Sequence, residues 1–344
     1  MTIPVLTFFN NKGGVGKTSL VYHLSWMWAE LGISVLVVDC DPQANLTSAF
    51  LDEDALLDVW SDDTHDATTI YRAIKPLTAV GDIKPAVLRT IDPCLHLIPG
   101  DLALSSFEDH LSEYWGKLLD ESQRERAFYV MSAFWRTAQA SAKACGAQII
   151  LFDVGPNLGA INRSALISSD FIVVPLVADL FSLQGLRNLG PAVRRWRDDW
   201  SMRKCSWTTP SIELPLGSIA PLGYIALQHD IRLSRPVKAY SRWLKRIPGD
   251  YRTFVLAEST ALDENLAIEN DQHCLAQLKH YRSLMPMAQE ARKPIFQLRP
   301  ADGAIGAHLT AVSAARMDFD RLAKIVDDRM KQHLAARLSN RSTK

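Results

Sequence analysis

Lys12-Gly13-Gly14-Val15-Gly16-Lys17-Thr18-Ser19 brings two lysines, three glycines and two hydroxyls into eight consecutive residues. Glycines lack a Cβ, so successive backbone N–H groups can converge on one anion. A helix starting near Lys17 adds its positive N-terminus to the same point. Lys17 can then reach the β- and γ-phosphates of a nucleotide, and the Thr18 hydroxyl can ligate Mg²⁺. The common phosphate-loop pattern Gly-x-x-x-x-Gly-Lys-[Ser/Thr] is not met, because Asn11 stands where its first glycine belongs. The loop is a variant with a lysine near its start. Asp39 and Asp41 follow one apolar run, and Asp153 ends another. In open parallel sheets ligands sit beyond the carboxyl ends of the strands, where these carboxylates can hold Mg²⁺ directly or through water.

The elements that must position these residues follow from the apolar runs. Residues 5–9 predict a strand that runs straight into the glycine loop. A helix is expected over 18–31, stopped by Gly32, and a second strand over 35–38. Strand, loop, helix and strand within 40 residues make a βαβ unit. Further strands are expected at 95–98, 149–152, 171–175 and 223–227, and helices at 102–144, 184–203, 236–247 and 313–338. Residues 52–66 read as an acidic turn and 205–218 as a Ser/Thr/Pro-rich loop. This alternation predicts an α/β fold with a doubly wound, mostly parallel sheet flanked by helices, the architecture of P-loop NTPases. One domain is expected over 1–338, with a helical elaboration at 102–144, a basic region at 187–252 and a flexible tail at 339–344.

With these residues in place, the chain resembles the ParA/MinD family of deviant Walker-A ATPases. Lys12 to Thr18 is similar to that family's phosphate loop, signature lysine included. Val37-Val38-Asp39-Cys40-Asp41-Pro42-Gln43-Ala44-Asn45 resembles its D-x-D-P-Q-x-N motif, Leu97-Ile98-Pro99 its L-I-P segment, and Ile150-Leu151-Phe152-Asp153 its Walker B strand. Val174-Pro175, Ser182-Leu183-Gln184-Gly185-Leu186 and Gly306-Ala307-His308 resemble later family stretches. The resemblance implies ATP as substrate, with Gly13, Gly14, Val15, Gly16, Lys17, Thr18 and Ser19 around its phosphates and Gln228 beside its adenine. It implies that Lys17 and Asp41 act in hydrolysis and that Thr18, Asp39, Asp41 and Asp153 serve the Mg²⁺. It also implies that Lys12 reaches the partner's nucleotide in an ATP-sandwiched homodimer, which makes hydrolysis depend on dimerisation much as an arginine finger would. One departure stands out: the family's D-x-P-P-S is here Asp153-Val154-Gly155-Pro156-Asn157. Gly155 loosens that turn, and Asn157 is suited to cap the next helix.

Composition narrows the class. The 344 residues carry 38 basic and 38 acidic side chains, and 47% are hydrophobic, as in globular domains. No apolar run approaches the roughly 20 residues of a membrane helix. The start lacks the basic region of a secretory signal, and no DNA-binding domain is expected ahead of the first strand. The five cysteines form no C-x-x-C pair, which argues against a disulfide framework or an iron–sulfur site and for a reduced cytoplasmic setting. The tail stripe Met330, Leu334 and Leu338 is narrow and lacks Phe or Trp, which argues against membrane-surface binding.

Zero net charge hides an asymmetry. Residues 1–186 hold 12 basic and 22 acidic side chains, whereas 187–252 hold 13 and 5. Arg194, Arg195, Arg197, Arg203 and Lys204 form one basic cluster, and Arg235, Lys238, Arg242, Lys245 and Arg246 another. Such a surface neutralises DNA phosphates without reading sequence. The expectation is a ParA-type partition or positioning ATPase, nucleoid-associated through nonspecific DNA and stimulated by a ParB-like or other partner protein. The alternatives are a nucleotide-gated protein-interaction switch, in phage defence or apparatus positioning, and a metabolic kinase.

Overall fold

The computed structural model describes residues 2–61, 66–207, 210–227, 237–258, 267–279, 281 and 283–342. Strands β1 (Val5–Phe8), β2 (Val35–Asp39), β5 (Ile149–Asp153) and β6 (Phe171–Val177) are buried at every position and apolar apart from Thr7 and the closing Asp39 and Asp153. Runs of this kind mark strands covered on both faces. With β3 (Arg89–Asp92), β4 (Leu95–Ile98), β7 (Ala220–Leu227) and β8 (Cys274–Leu278) they form one eight-stranded sheet in the order β3-β4-β2-β5-β1-β6-β7-β8. Only β3 runs antiparallel.

Twelve helices are assigned among the described residues: α1 (Lys17–Glu30), α2 (Asn45–Phe50), α3 (Glu53–Trp60), α4 (Ile70–Ile74), α5 (Glu108–Lys117), α6 (Arg124–Met131), α7 (Ala133–Cys145), α8 (Ala160–Ile167), α9 (Leu180–Cys205), α10 (Val237–Asp250), α11 (Leu284–Ala291) and α12 (Ala307–Ser342). Two apolar cores result, one on each face. Helices α1, α11 and α12 pack on one side with Leu6, Val37 and Val173, and α4 to α9 on the other with Val5, Val38 and Ile150. The doubly wound α/β sheet expected from the sequence is the fold found.

Several local expectations are corrected. Within the acidic stretch 52–66, Glu53–Trp60 form helix α3: the Asp52 carboxylate accepts the Ala55 N–H at 2.9 Å, and Glu53 and Asp54 sit in the first turn; residues 62–65 lie outside the described residues. Asp52, Glu53 and Asp54 thus form a helix N-terminus, where negative charge is favourable. The region 102–144 is not continuous; a 3₁₀ turn, Leu102–Phe107, precedes α5, α6 and α7. Edge strands β3, which is short and polar, and β8, which is only partly buried, were not among the strands expected. Helix α12 runs to Ser342, past residue 338 where the tail was expected, and its Met330 is buried in the core. Leu334 packs against the same core, so two of the three tail-stripe residues already have an apolar neighbour. Among the described residues no helix is long and apolar enough to cross a membrane.

Candidate nucleotide-binding site

The sheet brings its chemistry to one edge. Asp39 and Asp153 are direct partners in the β2–β5 ladder, and the glycine loop leaves β1 beside them. Gly14 (φ +70°) and Gly16 (φ +75°) adopt the left-handed conformation that favours glycine. Gly16 is the N-cap of α1 and supplies no side-chain acceptor, so the first N–H groups of this helix face the loop's concavity uncapped. Asn10 anchors the loop from below: its Nδ2 donates to the Pro175 carbonyl at 2.8 Å and its Oδ1 accepts the Lys12 N–H at 3.0 Å.

Gly13 to Ser19, Asp41, Val154 and Pro156 line a cavity of about 710 Å³. Lys17 is only 7% exposed. Burial pulls its pKa below the ordinary lysine value, against the opposing pull of Asp153 and Asp41. Its Nζ donates to the Lys12 carbonyl at 3.4 Å.

The three carboxylates are not equivalent. Asp39 Oδ2 accepts the Thr47 N–H at 2.9 Å and the Thr47 hydroxyl at 2.7 Å, and its Oδ1 accepts the Asp41 N–H at 3.2 Å. Burial raises its pKa to about 6, with those hydrogen bonds pulling the other way. Asp39 is therefore committed to folding the loop that carries Asp41. Asp41 Oδ1 accepts the Gln43 N–H at 3.0 Å, and the residue lines the cavity. Asp153 is fully buried, and neither carboxylate oxygen has a hydrogen-bond partner among the described residues. Burial first, then the neighbouring Asp39, push its pKa well above the usual range; Thr18 and Lys17 pull it down only partly. A buried carboxylate with both oxygens unsatisfied fits a site that takes a cation. Among the described residues no cluster of three or more His, Cys, Asp or Glu could hold a metal unaided. The donor set suits Mg²⁺, which is bound by one or two protein oxygens together with phosphates and waters.

Lys12 is absent from the cavity lining. Its Nζ lies 2.5 Å from Asp179 Oδ2 and 3.5 Å from Ser182 Oγ. Asp179 is also the N-cap of α9, accepting the Ser182 N–H at 2.8 Å. Burial pushes the Asp179 carboxyl up, but the Lys12 ammonium and the Ser182 N–H outweigh it and hold its pKa below the usual value.

Sequence reasoning missed the far wall. Met285, Ala288, Gln289 and Lys293, from α11 and the turn after it, line the same cavity as Tyr22 and Gln43. A smaller apolar compartment of about 190 Å³ adjoins it, bounded by Val177, Leu227, Leu278, Tyr281 and Phe319. No motif marks these positions; the ends of β6, β7 and β8 converge there only in the folded sheet. Gln228 and Arg235 lie outside the described residues.

His23 sits one turn into α1, buried and stacked 5.0 Å from the Phe319 ring, with Nδ1 2.7 Å from the Ser19 carbonyl. Burial lowers its pKa to about 4 from 6.5. The unfolded chain therefore takes up a proton first, and stability drains away as pH falls through that window. Relative to a His23→Gln variant, the wild type is expected to lose about 2 kcal/mol between pH 7 and pH 4.5, read by denaturant titration at both values. Parallel pH profiles for the two proteins would refute this.

The basic region is divided by the fold. Trp196 and Trp200 are core residues. Arg194 donates to the Phe254 carbonyl and, at 3.1 Å, to the Val255 carbonyl. Both carbonyls lie in a π-helical turn, Tyr251–Leu256, that follows α10. A Cβ on Gly190 would stand 1.8 Å from the Phe254 carbonyl oxygen, so this close approach of α9 to the turn requires glycine. Arg203 is buried against Asp199 and over the Trp115 ring, and Lys204 Nζ donates to the Pro215 and Leu216 carbonyls. Arg197 pairs with Asp198 at 3.3 Å and Arg246 with Asp250 at 3.6 Å. Arg195, Arg242 and Lys245 are exposed, and Lys238 lies in the first turn of α10.

Residues 3–203 match a family model described as an AAA domain. The chain is 30% identical over 202 residues to the chromosome partitioning protein ParA of Caulobacter vibrioides, covering 58% of this chain and 66% of that protein. It thus spans somewhat less than two thirds of that relative's length. The crystal structure of DIP2308 from Corynebacterium diphtheriae superposes with a TM-score of 0.68 at 23% identity, covering 95% of this chain and 98% of that one. An ATP complex of McdA from Cyanothece superposes with a TM-score of 0.59 at 14% identity, covering 96% and 97%. At these identities the two structures bear on the fold alone.

Proposed function

Because the chain belongs to this AAA-domain family of ParA-like partition ATPases, we propose that it is an ATP-hydrolysing switch whose ATP-bound form pairs with a second copy and binds DNA nonspecifically. One observation carries the reading: the uncapped, glycine-lined N-terminus of α1 faces the same cavity as Lys17, Asp41 and Val154, with the unsatisfied Asp153 carboxylate beside it. A triphosphate supplies the anion that the helix end and Lys17 lack. Mg²⁺ supplies charge neutralisation when bound, held by Thr18 with phosphate oxygens and supported by Asp153 and Asp41, directly or through water.

The chain's own residues do the rest. Lys17 binds the bridging phosphates, and Asp41, at the cavity wall, orients the attacking water. Lys12 lies outside the cavity, beside Leu180 (51% exposed) and Phe181 (72% exposed). Large apolar side chains exposed around a polar mouth fit a second protein surface. A second copy placed there would receive Lys12 at its own nucleotide once the Asp179 pair opens. A partner protein that stimulates hydrolysis completes the cycle by separating the two copies.

For DNA, the exposed side of α10 is the stronger candidate. Trp243 and Leu244 pack inward and Ile247 is buried, leaving Arg242 and Lys245 outside with Arg246 beside them. Co-sedimentation with duplex DNA is expected with ATP, much less with ADP, and to fall steeply with salt. Charge reversal of Arg242, Lys245 and Arg246 together is expected to weaken it about tenfold or more with the unfolding midpoint unchanged. Arg194→Ala is expected to act differently, exposing 237–258 to proteolysis because it undocks the π-turn. Binding that ignores nucleotide or salt would sink the DNA part and leave a nucleotide-gated switch for a protein partner.

A further inference from the structure

Glu108 opens α5, but its carboxylate serves another helix. Oε2 accepts the Ile161 N–H at 2.8 Å, and Oε1 accepts the Ala160 N–H. These are the first N–H groups of α8, whose own N-cap, Gly159, offers no side chain. Helix ends are ordinarily capped by the residue just before them. Here the cap comes from 52 residues earlier in the chain. A Cβ at Gly159 would lie 2.5 Å from Glu108 Oε1, so alanine there would push the carboxylate from its present place.

What separates α8 from Asp153 is the loop 154–159, which carries this chain's departure from the D-x-P-P-S pattern. Val154 and Pro156 line the cavity, and Gly155 lies against the Asp41 carboxylate, where a Cβ would be 3.4 Å from Oδ1. The loop is tied down from α8: Asn162 Nδ2 donates to the Gly155 carbonyl at 2.9 Å and to the Asn157 carbonyl at 2.7 Å. Asn157 Oδ1 in turn accepts the Gly159 N–H at 2.8 Å. Helix α5 is itself braced, because Trp115 lies between the guanidinium groups of Arg163 on α8 (4.6 Å) and Arg203 on α9 (4.4 Å).

We propose that Glu108 is a positioning residue for the nucleotide site: by gripping the first turn of α8 it sets the loop 154–159 against Asp41, and it ties α5 to whatever that loop contacts. This rests on the ATPase reading above. A loop carrying cavity-wall residues on the apolar Gly-Pro segment has no side-chain bonds of its own toward Asp41. Its placement is inherited from α8, and α8 is oriented by a carboxylate at its positive end. Misplacing such a wall by a fraction of an ångström slows chemistry more than it weakens ground-state binding.

The experiment compares wild type, Glu108→Gln, Gly159→Ala and the double variant, using ATP turnover, ATP affinity, and amide hydrogen exchange with and without AMPPNP and Mg²⁺. Glu108→Gln is expected to lower kcat about tenfold while the affinity for ATP stays within about twofold. Gly159→Ala, which displaces the same contact, should reproduce this, and the double variant should be no worse than either single. In the wild type AMPPNP should slow exchange at 13–19 and at 108–112 together; in Glu108→Gln it should slow exchange at 13–19 alone. A Glu108→Gln kcat within about twofold of wild type, or a loss that tracks the unfolding midpoint only, would overturn the proposal and leave an ordinary helix cap. Absence of protection at 13–19 in the wild type would instead overturn the nucleotide reading, and the positioning role with it.

Discussion

Lys17→Ala is expected to lower ATP affinity by about a hundredfold or more, with the fold retained. Lys17 is 7% exposed; burial disfavours its charge, and the nearby Asp153 and Asp41 favour it. Its one hydrogen bond among the described residues goes to the Lys12 carbonyl, and it forms no ion pair with either carboxylate. A triphosphate gives it charge-assisted acceptors on the other side, and such bonds are worth about 1.5–3 kcal/mol each. Removing Lys17 also leaves the phosphates facing Asp41 and Asp153 with one cation fewer. Isothermal titration with ATP and Mg²⁺ measures the loss, and the thermal midpoint of the empty protein checks the fold. Lys17→Arg should recover little, because a planar guanidinium does not match the compact ammonium at the loop's centre. ATP affinity within about threefold of wild type in Lys17→Ala would remove the phosphate role.

Lys12→Ala should leave ATP affinity near wild type and abolish the ATP-dependent dimer. In the single chain Lys12 is spent on Asp179, not on the cavity. The two side chains are 26% and 16% exposed, so the pair is partly shielded from solvent and must be broken before Lys12 can serve a second copy. Asp179→Asn separates the two roles of that carboxylate. Asparagine still caps α9 through the Ser182 N–H, because Asn ranks with Asp as an N-cap, but it no longer holds the ammonium by charge. Asp179→Asn is therefore expected to dimerise at a few-fold lower ATP concentration than wild type, since a partly shielded pair of this kind contributes about 1 kcal/mol. Sedimentation velocity across an ATP titration reads both variants. A Lys12→Ala protein that still dimerises on ATP would remove the exchange of lysines between copies, and an Asp179→Asn curve that overlays wild type would show that the pair does not restrain Lys12.

Much of this molecule was legible before any fold was known, and for identifiable reasons. The glycine loop, Asp39, Asp41 and Asp153 announce themselves because their roles depend on neighbours in the chain: a left-handed turn at Gly14 and Gly16, a helix starting at Lys17, carboxylates where strands stop. Central strands read clearly because burial on both faces demands unbroken apolar runs. At Asp52, Glu53 and Asp54 composition alone cannot tell a solvated turn from the charged first turn of a helix; the Asp52 cap onto Ala55 decides it. Edge strand β3 escaped because a half-covered strand such as Arg89–Asp92 needs little apolar signal.

Other features exist only between segments far apart in the chain. Nothing local to Glu108 reveals that it caps α8, nothing local to Arg194 reveals that it holds the turn after α10, and nothing near Met285 or Leu278 marks them as cavity wall. Residue order dictated the shape of the glycine loop, because a run of backbone amides that can converge on an anion is built from consecutive residues. Which carboxylate is satisfied, which lysine is already paired and which arginines are free to meet a partner were settled by three-dimensional packing, because an ion pair or a cap depends on distance through space and not along the chain.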